Sequence, residues 1–185
     1  MLSLLLSLVP SVATPVALAH QEDPPKLTLR QELENARANA EKKNRRVLLM
    51  LFQEWHGPSS ALADLLRKDE ELQHELLYEY DLVVAHLQLD PDAPQVAREH
   101  GLDPDALPKP HLAVLDAQGN VVAQEAGSAF EVVEGDARKP DPKKVLDFLA
   151  KHQAPYLDAE VLLRGALAKA KETNRRLLVH AGAPW

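Results

Sequence analysis

The chain has 185 residues, 45% apolar, 26% charged and only 4% aromatic, the mixture of a globular protein with an aliphatic core rather than of a disordered or fibrous chain. Its 21 basic and 28 acidic residues leave a formal charge of −7, which argues against a surface built to read phosphate backbones, so nucleic acid is not an expected partner. There is no cysteine, and with it go disulfides, zinc thiolate sites and every thiol mechanism.

Residues 1 to 19 read as a secretory signal peptide: an apolar run from Leu2 to Leu18 closes with the small-x-small triplet Ala17-Leu18-Ala19 just before His20. The rival reading is a membrane anchor, against which stand Pro10, Pro15 and the shortness of the run, since a spanning helix takes about 20 residues. Export to an extracytoplasmic compartment, periplasmic or secreted, is therefore expected. No membrane association should remain after cleavage, and residues 20 to 28 form a flexible lead-in to the fold.

From Leu29 to Lys43 the apolar positions Leu29, Leu33, Ala36 and Ala40 recur every three or four residues, the stripe of an amphipathic helix that Asn44 can stop. Arg46 to Gln53 holds the run Val47-Leu48-Leu49-Met50-Leu51-Phe52, a strand buried on both faces and hence belonging to a sheet covered by helices. Pro58 opens a helix with Leu62, Leu65 and Leu66 inward, and a second short helix runs from Asp69 to about Tyr78. Asp81 to Leu89 is the next strand, and Pro91 to His100 a helix ending at Gly101. His111 to Leu115 and Val121 to Gln124 form an antiparallel hairpin whose turn uses Gly119 for its positive φ. Asp141-Pro142 opens a helix with Val145, Leu146 and Leu149 inward. The implied fold class is α/β, with a central mixed sheet of two parallel strands and an antiparallel hairpin and with helices on both faces.

The junction of the first strand and its helix reads Trp55-His56-Gly57-Pro58-Ser59. It resembles the thioredoxin active site, Trp-Cys-Gly-Pro-Cys, with Trp, Gly and Pro at the same offsets and the two cysteines replaced by His56 and Ser59. Downstream, Pro110-His111-Leu112-Ala113-Val114-Leu115-Asp116-Ala117-Gln118-Gly119 is similar to the family segment that opens its hairpin, and it implies a cis peptide between Lys109 and Pro110. The resemblance covers residues 29 to 153 and implies a thioredoxin-like fold. It also implies a peptide-binding groove at Lys109, Pro110 and His111.

Chemistry is another matter. The helix N-terminus that activates the first family thiol now faces an imidazole, which forms no mixed disulfide, and a hydroxyl at Ser59 resolves none. The carboxylate that family members often bury five residues before the Trp is Met50 here. No catalytic residue is therefore assigned and no redox activity is expected. A metal held by His56 and His111 is disfavoured, because structural zinc takes four ligands and catalytic zinc three, so neither metal nor cofactor is expected. A Ser59–His56 nucleophile lacks an orienting acid. His56 and Ser59 read best as solvent-facing residues capping the helix, and His86 as a hydrogen-bonded core histidine.

Residues 157 to 185 echo the start of the domain. Leu163 to Trp185 aligns with Leu33 to Trp55 at a constant offset of 130, matching Asn174 to Asn44, Arg175 to Arg45, Arg176 to Arg46 and Trp185 to Trp55. A lead helix and a strand over Arg176 to Ala181 are expected, the opening of a second, truncated thioredoxin-like domain; the alternative is a tail packed on the first. Two functions follow from the resemblance. One is an exported, non-catalytic module that binds an extended peptide or protein client, or serves structurally. The other is the inert half of a thiol-disulfide oxidoreductase whose Cys-x-x-Cys lies beyond residue 185.

Overall fold

The computed structural model describes residues 27 to 135 and 137 to 179; the expected signal peptide and most of the expected lead-in lie outside them. Helix α1 (Leu29–Lys43) begins with a reciprocal cap, Gln31 N–H donating to the Thr28 hydroxyl and Thr28 N–H to the Gln31 amide oxygen, so two of the orphan donors of the first turn are satisfied. Asn44 ends it in the left-handed conformation, φ 54°. Its stripe of Leu29, Leu33, Ala36 and Ala40 is buried, as the spacing predicts.

Strand β1 (Arg46–Phe52) is the centre of the molecule. Its alternation sends Val47, Leu49 and Leu51 into one core with α1, and Leu48 and Met50 into the other, which is why no polar residue interrupts the run. Helices α2 (Gly57–Lys68) and α3 (Glu70–Glu79) carry the chain across to β2 (Tyr80–His86), parallel to β1. After α4 (Ala93–Glu99), β3 (His111–Leu115) pairs antiparallel with β1, and β4 (Val121–Ala126) antiparallel with β3, giving the order β2-β1-β3-β4. Helix α5 (Pro142–Lys151) starts on the Asp141 carboxylate, which accepts from Lys143 N–H at 2.9 Å. It covers the second core with α2 and α3. Tyr80, buried at the start of β2, donates its hydroxyl to Leu149 C=O in α5 at 2.6 Å, and burial foremost pushes the phenol's pKa well up.

Several boundaries differ from the sequence expectation. β2 ends at His86 rather than Leu89, because Leu89 and Asp90 N–H turn back onto His86 C=O at 3.1 and 2.8 Å. Helix α4 starts at Ala93, not Pro91. A 3-10 turn (Gly127–Phe130) and a small hairpin of β5 (Glu131–Glu134) and β6 (Ala137–Pro140) fill a stretch for which no element is expected. Leu146 is only partly buried.

The tail forms α6 (Ala159–Glu172), which buries no residue. Its bounds fall 130 positions after those of α1 at the start, Asn174 repeats the left-handed φ (51°) of Asn44, and Arg175 N–H donates to Ala170 C=O as Arg45 does to Ala40. The strand expected over Arg176 to Ala181 does not form in residues 176 to 179, which join no sheet; the remaining two positions and the rest of the tail lie outside the described residues.

Candidate functional site

The end of β1, the first turn of α2 and the start of β3 meet at one end of the sheet. Antiparallel pairing sets Leu51 opposite His111, so the register carried one step further places Phe52 beside Pro110. The Lys109–Pro110 peptide is cis. Gln53 and Lys109 line one cleft of about 290 Å³ together with Gln88 and Asp105. The two segments singled out in the sequence thus lie at the same end of the sheet.

Pro58 occupies the first turn of α2, where a missing N–H costs nothing. His56 stands at the N-cap, but its side chain makes no capping bond; its Nδ1 lies 3.0 Å from Ser59 Oγ instead. Ser59 has 0% exposure, and its hydroxyl also accepts from Gln53 N–H at 3.4 Å. Both side chains therefore depart from the expected solvent-facing caps: Ser59 sits on the inward side of the first helical turn and is used to hold the turn, while His56 is partly buried over it. Gly57 and Pro58 are exposed. His111 is buried, with Nε2 3.0 Å from Gln124 Oε1 and Nδ1 without a hydrogen-bond partner. Burial holds its imidazole below the ordinary histidine pKa, against the opposing pull of Gln124 and Glu125. Among the described residues no group of three or more metal-ligating side chains comes together.

Trp55 is exposed, at 89%. It also adopts φ 55°, the left-handed region that a bulky residue occupies only when its surroundings impose it. The constraint comes from Glu54, which the sequence reading passes over. Glu54 is buried; one carboxylate oxygen accepts from Gln88 N–H at 3.1 Å and the other lies 2.7 Å from His86 Nδ1. Its own N–H donates to Gln88 Oε1 at 3.0 Å. His86 is thus a partly exposed partner of Glu54, its ring centred 4.9 Å from that of Phe52 and tilted against it by 54°, and not the core histidine expected. A charged residue at a strand end carries no sequence signal of this role. Only the parallel register, which sets Phe52 beside His86, brings the three residues together.

Gly127 holds the other wall. A Cβ there would stand 2.4 Å from Pro110 Cγ and 3.0 Å from Pro110 C=O, which accepts from Gly127 N–H at 2.8 Å. Gly127→Ala is expected to cost about 1–3 kcal/mol through this clash with a ring and a carbonyl that cannot swing aside, measured as a lower denaturant midpoint. An unchanged midpoint would show that the junction after β4 yields freely.

The crystal structure of a disulphide isomerase from Xylella fastidiosa Temecula1 superposes with TM-score 0.55 over 75% of this chain and 98% of its own, at 19% identity. The fold is thioredoxin-like. A DsbH oxidoreductase (TM-score 0.48, 10% identity, 78% of this chain and 96% of its own) and Fasciola hepatica thioredoxin (0.42, 17%, 65% and 91%) are also similar. No protein-family model matches the sequence, and no curated protein does. This chain of thioredoxin-like fold has a tryptophan, a strand-to-helix turn, a first-turn proline and a cis Lys109–Pro110 peptide, and no cysteine.

Proposed function

We propose that the domain is an exported, non-catalytic binding module that takes an extended peptide or protein client across Trp55 and the Lys109-Pro110-His111 segment. The observation that carries this reading is the presentation of Trp55: an indole exposed to 89% on a left-handed backbone, two residues from Gln53, which lines a cleft together with Lys109. Tryptophan contributes large contact area with few rotamers to freeze, which makes it an effective anchor when its position is already fixed. Export rests on the leader reading, and among the described residues no helix is long and apolar enough to cross a membrane.

The test is titration of the domain with a permanently unfolded, thiol-free polypeptide, followed by NMR. Shifts should localise to the Trp55 indole and the amides around 109 to 111, and Trp55→Ala should weaken binding by about tenfold or more. Binding indifferent to Trp55, or no binding at all, defeats the proposal.

The second reading, an inert first half followed by a further thioredoxin-like domain, is favoured by α6. Leu163, Ala166 and Ala170 repeat the core-facing Leu33, Ala36 and Ala40 of α1, and Leu163 is exposed here. The coding sequence after Trp185 tests it: Cys-x-x-Cys there supports this reading, and any other residues remove it.

A further inference from the structure

One buried imidazole takes no part in the turn at Ser59 or in the contacts of Glu54. His111 opens β3 with 4% exposure, and by alternation with Ala113 and Leu115 its ring lies on the face of the sheet that carries α1. It reaches across to the neighbouring strand. Nε2 stands 3.0 Å from Gln124 Oε1, an acceptor, so Nε2 carries the proton and Nδ1 is bare. Nδ1 is buried and has no partner. The ring thus ties the first residue of β3 to β4, whose Ala126 stands opposite His111 in the register and whose next neighbour, Gly127, donates its N–H to Pro110 C=O at 2.8 Å. The charged groups that act on the imidazole are Glu125 on β4 and Lys109 in the preceding loop; β1 brings Leu51 opposite it. Lys109 is held in place, its ammonium donating to the C=O groups of Pro104 and Leu107.

We propose that His111 is a latch that stays closed only while its imidazole is neutral, and that acid opens it and releases a client held at Trp55 and residues 109 to 111. A second proton has to go to Nδ1, where it meets no acceptor, and the charge it brings lies in a buried place near the Lys109 ammonium. An unpaired buried donor carrying charge costs more than turning the ring out to water. The ring cannot turn out without giving up Gln124 and loosening the start of β3 against the end of β4. Glu125 pulls the other way from β4, but burial outweighs it and holds the imidazole below the ordinary histidine pKa. The closed form therefore binds fewer protons than the open one. It is favoured above the open ring's pKa of about 6.5 and loses ground as pH falls below that value, down to the closed form's own pKa. From pH 7 to pH 5 the ratio of open to closed rises by at most about 25-fold, the full effect of a ring that titrates only when open. Release of a client rests on the binding reading above; the latch itself does not.

Amide hydrogen exchange of the wild type at pH 7 and pH 5, each rate corrected for its intrinsic pH dependence, reads the latch without any client. Protection of the Gly127 N–H should fall by about tenfold between the two, while protection of the β1 amides holds. The imidazole nitrogen shifts of His111 should titrate over the same range. In His111→Phe, whose ring takes no proton, protection at Gly127 should be the same at both pH values, whatever its level. Affinity for the unfolded, thiol-free polypeptide should fall by a similar factor from pH 7 to pH 5 in the wild type, and the ratio should be flat in His111→Phe. Unchanged protection at Gly127 overturns the proposal, as does a pH dependence that persists in folded His111→Phe. A loss shared equally by β1 is unfolding of the whole domain and overturns it too. If His111→Phe does not fold, the imidazole titration decides: a His111 that stays neutral at pH 5, or that titrates with no loss at Gly127, overturns the latch. A polypeptide bound equally well at both pH values overturns the release, and one bound at neither defeats the binding reading and leaves the latch to the exchange result.

Discussion

Replacing Glu54 by alanine is expected to lower the stability of the domain by about 1–2 kcal/mol, the loss of the hydrogen bonds that its buried carboxylate accepts from half-exposed partners. Gln88 N–H loses its acceptor and His86 Nδ1 its near neighbour at 2.7 Å, and because Gln88 is exposed and His86 partly so, water replaces part of both contacts. The effect should not stop at stability. Glu54 is the residue before Trp55, and its carboxylate and N–H both engage Gln88, so the left-handed backbone at Trp55 loses what holds it. Near-ultraviolet circular dichroism should show a change in the tryptophan region, and affinity for an unfolded polypeptide should drop even though Glu54 itself offers a client almost no surface. Glu54→Gln keeps an acceptor for Gln88 N–H and should recover part of both losses. A Glu54→Ala variant with unchanged stability and unchanged binding would show that the turn is held by α2 alone.

The elements that sequence alone makes legible are those whose periodicity answers to a single physical demand. α1 is legible because a stripe of Leu and Ala must face one core, and β1 because a strand covered on both faces has no place for a polar residue. The hairpin of β3 and β4 is legible because Asp116-Ala117-Gln118-Gly119-Asn120 is turn chemistry in a row: the Asp116 carboxylate accepts from Gln118 and Asn120 N–H, and Gly119 takes φ 89°. What stays hidden depends on contacts distant in sequence. Residues 127 to 140 hold few apolar positions at either period, and their 3-10 turn and hairpin are set by neighbours, Asp141 N–H reaching back to Phe130 C=O at 2.8 Å. The site divides in the same way. The Trp, Gly, Pro and cis-proline positions are visible as a motif. The burial of Ser59 and the clamp of Glu54 on Gln88 and His86 arise from how β1, α2 and β2 stand side by side, which a linear pattern does not contain.

Cysteines at positions 56 and 59 should form a disulfide on a thioredoxin-like scaffold that has the strand-to-helix turn and no thiol. His56 and Ser59 stand three apart on the first turn of α2, with Nδ1 and Oγ already 3.0 Å from one another, so cysteines at both positions lie within reach of an S–S bond after modest side-chain adjustment. The chain contains no other cysteine, and the only disulfide within one molecule of His56→Cys/Ser59→Cys is this one. The first thiol, at the N-terminus of a 12-residue helix, should titrate below the free value of about 8.5 because unpaired N–H groups favour the thiolate. The second, in the buried place of Ser59, should be the less reactive and act as the resolving thiol. Turnover should nevertheless remain well below that of a thioredoxin, since Met50, fully buried in β1, supplies no carboxylate to relay protons. The wild type and both single variants should reduce no disulfide in a model protein substrate, and the double variant should reduce it slowly. Activity in the wild type would refute the loss of thiol chemistry, and a double variant with no titratable intramolecular disulfide would refute the claim that the turn at His56 still has the geometry of a thioredoxin active site.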